Sequence, residues 1–211
     1  MKVAVFSESS ADEAAIRILL EAILGASTES IPSHPSLRVR GWPMVIRVLP
    51  AIIKWLHYQT DAEALVVIAD SDDSPVHERA HELAGGEDRR CRLCQLRRVT
   101  SEEKSKLTSV PNRASLKTAI GLAVPAIEAW YLCGLNPHVN EATWVRKLQS
   151  EKITFTRSLL KKQVYGTDRP TITLETHHAV EAAARLTTDL TLIEQLFPVG
   201  FGSFAREVRS W

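Results

Sequence analysis

The segment ALVVIAD, residues 64–70, constrains the fold more than any other part of this sequence. It is apolar almost without interruption until Asp70, whereas a strand with one face in water alternates apolar and polar side chains. A strand that is apolar on both sides must be covered on both sides, as in a parallel sheet that lies between helices. The segment therefore predicts an α/β protein with a buried central strand.

Further strands and helices are predicted around this strand. The apolar residues 2–6 precede an amphipathic helix that ends at Gly25, and Ser10 and Glu13 have the spacing of a capping box at its start. The other predicted elements are strands at 37–40 and 118–124, and helices at 42–59 with a kink at Pro50, at about 75–83, and after Pro125. Together they predict a mostly parallel sheet of about four strands that is flanked by helices.

The second half of the chain has a different character. From Glu141 onward the apolar spacing is helical, most clearly over residues 177–197, and no strong strand pattern follows. Domains commonly contain about 100 to 200 residues, so a chain of 211 residues predicts one main folding unit. We expect a core over residues 1–135 and a helical C-terminal extension over residues 136–211 that packs on this core.

The composition limits the classes of protein and the cellular compartments that we expect. A net charge of +1 argues against a uniformly basic nucleic-acid binder, so any basic surface should be local. Three cysteines form no disulfide framework, and no apolar run approaches the roughly 18 residues of a membrane span. We expect a cytoplasmic protein without membrane attachment, and a homo-oligomer remains open.

Carboxylates follow three of the predicted strands. Glu8 follows the first strand, Asp70 and Asp72 end the third, and Glu128 comes shortly after the fourth. Because ligands collect at the carboxyl ends of parallel strands, these acids are expected to converge. In extended backbone Asp70 and Asp72 also point to the same side. A site with only oxygen ligands suits Mg²⁺ or Mn²⁺, and magnesium commonly works together with substrate phosphates, which predicts a phosphodiester or nucleotide substrate.

Each acid also has an ordinary structural interpretation. An aspartate that ends a strand often caps the next helix, and Asp73 is expected either to do this or to support the metal ligands from outside. Asp12 is a candidate for the same supporting role. For Glu8, Asp70 and Asp72 together, a cation or raised pKa values must relieve the repulsion between neighbouring carboxylates.

The order of these motifs resembles the Toprim family. ESSAD at 8–12 is similar to the opening E-G-x-[ST]-D of many small Toprim proteins, and Asp70-x-Asp72 is similar to the family's DxD pair. VPAIEAWYL at 124–132 resembles the P-x-I-E-x-W segment of small stand-alone Toprim-like proteins of bacterial defence loci, of the RloB type and related to OLD-family nucleases. SLLKKQVYG at 158–166 and GFGSFAREV at 200–208 resemble the C-terminal signatures of that group.

The resemblance implies a Rossmann-like fold and a set of roles. Glu8 would act as a general acid or base, and Asp70 and Asp72 would bind Mg²⁺ together with it. In nuclease members a further acid and a lysine complete the site; Glu128 matches the acid by motif, and Lys161 or Lys162 is a candidate for the lysine. The chain departs from the family pattern at Ser9, where the family has glycine, and a side chain there affects how closely a phosphate can approach the turn.

Two other clusters contain side chains that could bind a metal ion or phosphate. His77, His81, Cys91 and Cys94 could together hold a structural zinc ion, although zinc fingers usually place the cysteine pair first. Five arginines between 89 and 98 could contact phosphates of a nucleic acid, with Arg89 and Arg90 as candidates, or form a solvated face that nearby acids neutralise.

These features favour a Mg²⁺-dependent Toprim-like nuclease that hydrolyses phosphodiester bonds in DNA or RNA, as the effector of a defence system. Two alternatives use the same residues. One is a non-catalytic regulatory or scaffold subunit that binds a partner ATPase, since the chain has no Walker A motif of its own. The other is a phosphohydrolase for small phosphoesters.

Overall fold

The computed structural model describes residues 1–32, 41–83, 85–150 and 155–211. Within these residues four parallel strands form one sheet in the order β2-β1-β3-β4. The strands are β1 (Lys2–Phe6), β2 (Glu29–Ile31), β3 (Ala64–Asp70) and β4 (Lys117–Ala123). The predicted α/β class with a parallel sheet flanked by helices is confirmed.

Nine α-helices are described in the same ranges. They are α1 (Ser10–Leu24), α2 (Trp42–Gln59), α3 (Arg92–Ser105), α4 (Ile127–Tyr131), α5 (Glu141–Ser150), α6 (Arg157–Tyr165), α7 (Ile172–Leu186), α8 (Leu190–Leu196) and α9 (Phe201–Arg209). Within the described ranges, no helix combines the length and the apolar character that a membrane crossing requires.

The sheet separates two hydrophobic cores, and successive residues of β3 alternate between them. Val66 and Ile68 pack in one core, together with apolar residues of α1, α7 and α9. Leu65 and Val67 pack in the other, together with residues of α2 and α3. Every residue from Ala64 to Ala69 is buried, which is why this strand could be predicted from its continuous apolar character. The C-terminal helices thus share a core with the sheet.

The strand order creates a crevice at one end of the sheet. From β1 the chain reaches β2 on one side and then β3 on the other side, so connections diverge between β1 and β3. Such a divergence leaves an open crevice outside the carboxyl ends of the two strands. Glu8 follows β1 and Asp70 ends β3, so both residues lie at this crevice.

Several local predictions differ from the structure. The helix predicted over 75–83 is wrong: this segment contains only a 3₁₀ helix at Arg79–Glu82. The segment has few apolar residues, and Leu83 is 71% exposed, so no apolar stripe drives a longer helix. The predicted cap is displaced by one residue, since Ser9 rather than Ser10 accepts the hydrogen bond from the Ala11 N–H.

The helix that follows β4 also begins later than predicted. Pro125 follows a cis peptide bond, Ala126 has extended backbone, and α4 begins at Ile127. The strand predicted at 37–40 lies outside the described residues, and the structure pairs residues 29–31 with β1 instead. The long helical pattern at 177–197 is divided between α7 and α8, where the Asp189 carboxylate accepts a hydrogen bond from the Leu192 N–H.

Glu141 is a buried acid outside the crevice, and it predicts a pH dependence of stability. Its carboxylate accepts hydrogen bonds from the N–H groups of Val199 (2.9 Å) and Gly200 (2.6 Å). Burial nevertheless raises the pKa of Glu141 from 4.5 to about 7. Between these values the folded protein keeps a proton that the unfolded chain releases, so folding stability decreases as pH rises.

Replacing Glu141 by Gln is expected to remove this part of the pH dependence. One pKa unit corresponds to about 1.4 kcal/mol, so Glu141 should lower the free energy of unfolding by about 2 to 3 kcal/mol between pH 4.5 and pH 7. Urea denaturation across this interval measures the difference between the wild type and Glu141→Gln. The exposed Glu102→Gln serves as a control, and parallel pH profiles for the wild type and Glu141→Gln would contradict the assignment.

Candidate active site

The crevice at the end of the sheet forms a cleft of about 680 Å³. Residues that follow β1 form one side, α4 and the end of β3 form the floor, and α6 and the start of α7 form the other side. The ionisable residues that line it are Glu8, Asp12, Glu13, Asp70, Glu128, Arg157, Lys161, Tyr165 and Glu175. The predicted convergence of Glu8, Asp70 and Glu128 therefore occurs.

Asp70 lies at the centre of this arrangement. Its Oδ1 accepts a hydrogen bond from the Ile127 N–H at 3.0 Å, and its Oδ2 accepts one from Arg157 at 2.8 Å. Its own backbone N–H donates to Glu8 Oε1 at 3.2 Å, which connects the ends of β1 and β3. Burial and the charge of Glu128 raise the pKa of Asp70 well above its ordinary value, although Arg157 opposes the shift.

Asp72 contacts Arg157, as Asp70 does, but with a backbone geometry that differs from the predicted one. The strand ends at Asp70, and Asp72 has a φ of 48°, so the alternation of an extended chain does not continue to it. Its Oδ1 accepts a hydrogen bond from Arg157, and its Oδ2 pairs with Arg92 at 2.6 Å. Both of its oxygens are therefore engaged by arginine, and Asp72 does not line the cleft.

Glu128 is the most buried acid of the cleft, with 4% of its surface exposed. Its Oε1 lies 3.9 Å from Lys161 Nζ, whereas its buried Oε2 has no hydrogen-bond partner among the residues that the structure describes. Burial raises the pKa of Glu128, and Lys161 opposes the shift. An ionised carboxylate oxygen without a partner is costly in a buried position, so this oxygen is suited to accept a cation or a proton.

Asp12 lies one helical turn into α1, beside Glu128. Its Oδ1 accepts a hydrogen bond from the Tyr131 hydroxyl at 3.3 Å. Burial, and next the charge of Glu128, raise the pKa of Asp12 well above its ordinary value. Asp12 thus lines the cleft and is bonded to Tyr131 of α4, and its supporting role stays a prediction.

The charges of the cleft do not balance. Among the described residues that line it, six carboxylates accompany one arginine and one lysine. Burial, and then neighbouring negative charge, raises the pKa of three of these acids, and a bound cation would relieve both effects. The oxygen-only ligand set fits a hard divalent ion such as Mg²⁺ or Mn²⁺. The acids are spread along the cleft, which suits an ion that keeps several waters and uses only one or two carboxylates.

The other candidate residues are less closely connected with the cleft. Asp73 is exposed and caps no α-helix, because the predicted helix is absent. Lys161 lines the cleft, whereas Lys162 is exposed and points elsewhere. Arg89 lines a separate cavity, and Arg90 pairs with Asp88 on the surface.

Two arginines contact the acids of the site, although the sequence did not predict them as partners. Arg157 comes from the start of α6 and joins Asp70 and Asp72. Arg92 pairs with Asp72, donates to the Asp70 carbonyl oxygen at 2.7 Å, and lies 4.8 Å from the centre of the Trp42 ring. Arg92 was visible in the basic cluster, but no local pattern links Arg157 to residues more than 80 positions earlier.

The histidine and cysteine side chains predicted as zinc ligands do come together. One ligand atom from each of His77, His81, Cys91 and Cys94 lies within 4.8 Å of all the others. His77, His81 and Cys94 line a separate cavity of about 600 Å³. Among the described residues, the carboxylates of the cleft form no group as tight as this one.

Comparisons with protein-family models, with curated proteins and with solved structures find no significant match to the chain.

Proposed function

We propose that the chain is a Toprim-like, Mg²⁺- or Mn²⁺-dependent phosphodiester hydrolase that cleaves DNA or RNA. The observation that carries the proposal is the surplus of carboxylates in a cleft at the divergence point of a parallel sheet. Divalent cations neutralise such a site and can then bind a substrate phosphate, and α/β sheets bind their ligands at this place. The motif resemblance supports the same reaction class.

One or two of Glu8, Asp70 and Glu128 would bind the metal, because all three line one cleft and because Glu128 Oε2 makes no hydrogen bond among the described residues. When bound, a divalent ion would activate water and stabilise charge on the phosphate. Asp72 does not line the cleft and would take part through its arginine partners, Arg92 and Arg157.

The cationic side chains suit the substrate's phosphate. Arg157 and Lys161 lie on the same face of α6, four positions apart, and both line the cleft. Arginine can bind two phosphate oxygens at once, and lysine adds a flexible point charge. Glu8 lies at the open end of the cleft, where it can hold or accept the proton of an attacking water.

The test is a cleavage assay of the purified chain on single- and double-stranded DNA and on RNA, with Mg²⁺, Mn²⁺ or a chelator. We expect cleavage with either metal, none with the chelator, and a loss of about 100-fold in Glu8→Gln. Glu181→Gln, an exposed acid on α7, is the control that should keep full activity. If the wild type binds nucleic acid or a partner ATPase without cleaving, the regulatory-subunit alternative replaces the proposal.

The size of the cleft favours one second candidate. A volume of about 680 Å³ lies within the range of small-molecule sites, so a nucleotide or another small phosphoester would fit. A panel of nucleoside monophosphate esters and dinucleotides, assayed beside the polymers, distinguishes the two functions. A phosphohydrolase would turn over the small esters and leave the polymers intact.

A further inference from the structure

The cluster of His77, His81, Cys91 and Cys94 lies outside the acidic cleft and has no part in the proposed reaction. His77 precedes the 3₁₀ helix and His81 lies in it, whereas Cys91 and Cys94 lie at the start of α3. Two separate turns of the chain therefore bring two imidazoles and two thiols together. His77, Cys91 and Cys94 are each less than a tenth exposed.

The distances are those between ligands of one tetrahedral ion. His77 Nδ1 lies 3.7 Å from Cys91 Sγ and 3.4 Å from Cys94 Sγ, and His81 Nδ1 lies 3.7 Å from Cys94 Sγ. For tetrahedral zinc, bonds of about 2.3 Å to sulfur and about 2.05 Å to nitrogen place sulfur and nitrogen ligands about 3.6 Å apart. These three sulfur–nitrogen distances match that spacing, and all four ligand atoms lie within 4.8 Å of one another.

Thiol hydrogen bonds alone do not account for the close approach of these four side chains. A neutral imidazole nitrogen has one lone pair, yet two sulfur atoms approach His77 Nδ1 from within the same cluster. A central cation that each of the four atoms contacts satisfies all of them at once. Two thiolates would also neutralise a divalent ion, so the buried cluster would carry no net charge.

The surroundings of the cluster have the features of a metal site. The other nitrogen of His77, Nε2, lies 3.3 Å from a carboxylate oxygen of Glu82, and a ligating histidine commonly donates its second N–H to such a group. Both thiols lie at the N-terminal end of α3, Cys91 at the position before the helix and Cys94 in its first turn.

We propose that these four side chains form a structural zinc site. Two thiolates and two imidazoles are the ligand set of tetrahedral structural zinc, and four protein ligands leave no position open for a substrate. The ion joins the chain after β3 to the start of α3. Arg92 follows Cys91 directly and pairs with Asp72, so the zinc site also holds in place one of the cations beside the cleft acids.

The first experiment measures the zinc content of the full chain, expressed in zinc-supplemented medium, by elemental analysis. We expect about one zinc per chain in the wild type and at least about a tenfold lower content in Cys94→Ser and in His77→Asn. The matched control is Cys133→Ser, because Cys133 is the third buried cysteine and lies outside the cluster. It should keep the full zinc content. A wild type without zinc, or variants with unchanged zinc, would overturn the proposal.

A second measurement keeps the test independent of how well the variants fold. Cobalt(II) exchanged into the wild-type protein should give intense ligand-field bands of a tetrahedral centre and a thiolate-to-cobalt charge-transfer band. Cys133→Ser should give the same spectrum. A spectrum of six-coordinate cobalt without charge transfer would refute the S₂N₂ ligand set. Neither experiment depends on Mg²⁺ or on cleavage, so the zinc proposal can fail without affecting the proposed function.

Discussion

Replacing Asp70 by Asn is expected to lower metal-dependent phosphodiester cleavage by about 100-fold or more, because metal stabilisation of a phosphoryl transition state contributes several kcal/mol. The amide keeps the size of the side chain and can still accept the hydrogen bond from the Ile127 N–H. It lacks the charge that would attract the ion. The fold should remain intact, since one of several neighbouring negative charges is removed from the buried cleft.

Cleavage rates and thermal unfolding of Asp70→Asn give the two readouts. Asp61→Asn is the matched control, because Asp61 is an exposed acid that precedes the same strand and pairs with Lys2. We expect full activity in the control and an unchanged or higher unfolding midpoint in Asp70→Asn. Cleavage by Asp70→Asn at the wild-type rate would show that the hydrolysis takes place at another site.

Replacing Arg157 by Ala is expected to have opposite effects on metal binding and on cleavage. The guanidinium contacts Asp70 and Asp72, and at Asp70 it competes with a divalent ion for the carboxylate. A positive charge within a few ångströms of the ion weakens binding, so its removal should tighten Mn²⁺ binding by about tenfold, or about 1.4 kcal/mol. The same change should lower cleavage, because a phosphate-binding cation is lost.

Calorimetric titration with Mn²⁺ and steady-state kinetics measure the two effects. Arg169→Ala removes an exposed arginine beyond the end of α6, and this control should change neither quantity. Arg157→Lys should give an intermediate result, since lysine keeps the charge but cannot join both carboxylates in the same way. Weaker Mn²⁺ binding in Arg157→Ala would mean that the arginine organises the acids for the metal rather than competing with it.

The sheet was largely predictable because its residues carry a strong local pattern. β1, β3 and β4 agree with the predicted strands to within one residue at each end. Burial on both faces requires the continuous apolar character that the sequence displays. The short β2 has exposed or half-buried residues, so it carries no comparable pattern and was not predicted.

The acids of the cleft were predictable for a related reason. The carboxyl ends of parallel strands meet at one edge of a sheet, so Glu8 and Asp70 had to lie near each other once the strands were known. The orientation of Asp72 was not predictable in this way, because its positive φ depends on the turn after β3.

The sequence by itself determined the buried parallel sheet, the carboxylates at its end, and the types of ligand in the histidine and cysteine pairs, because each depends on short-range patterns of side chains. Only the tertiary structure decided which groups meet. Arg157 reaches the acids because α6 packs against α4 and α7, and two separate turns bring His77 and Cys91 into contact. Such contacts join residues that are distant in sequence, so their geometry is determined by packing of whole elements rather than by local propensity.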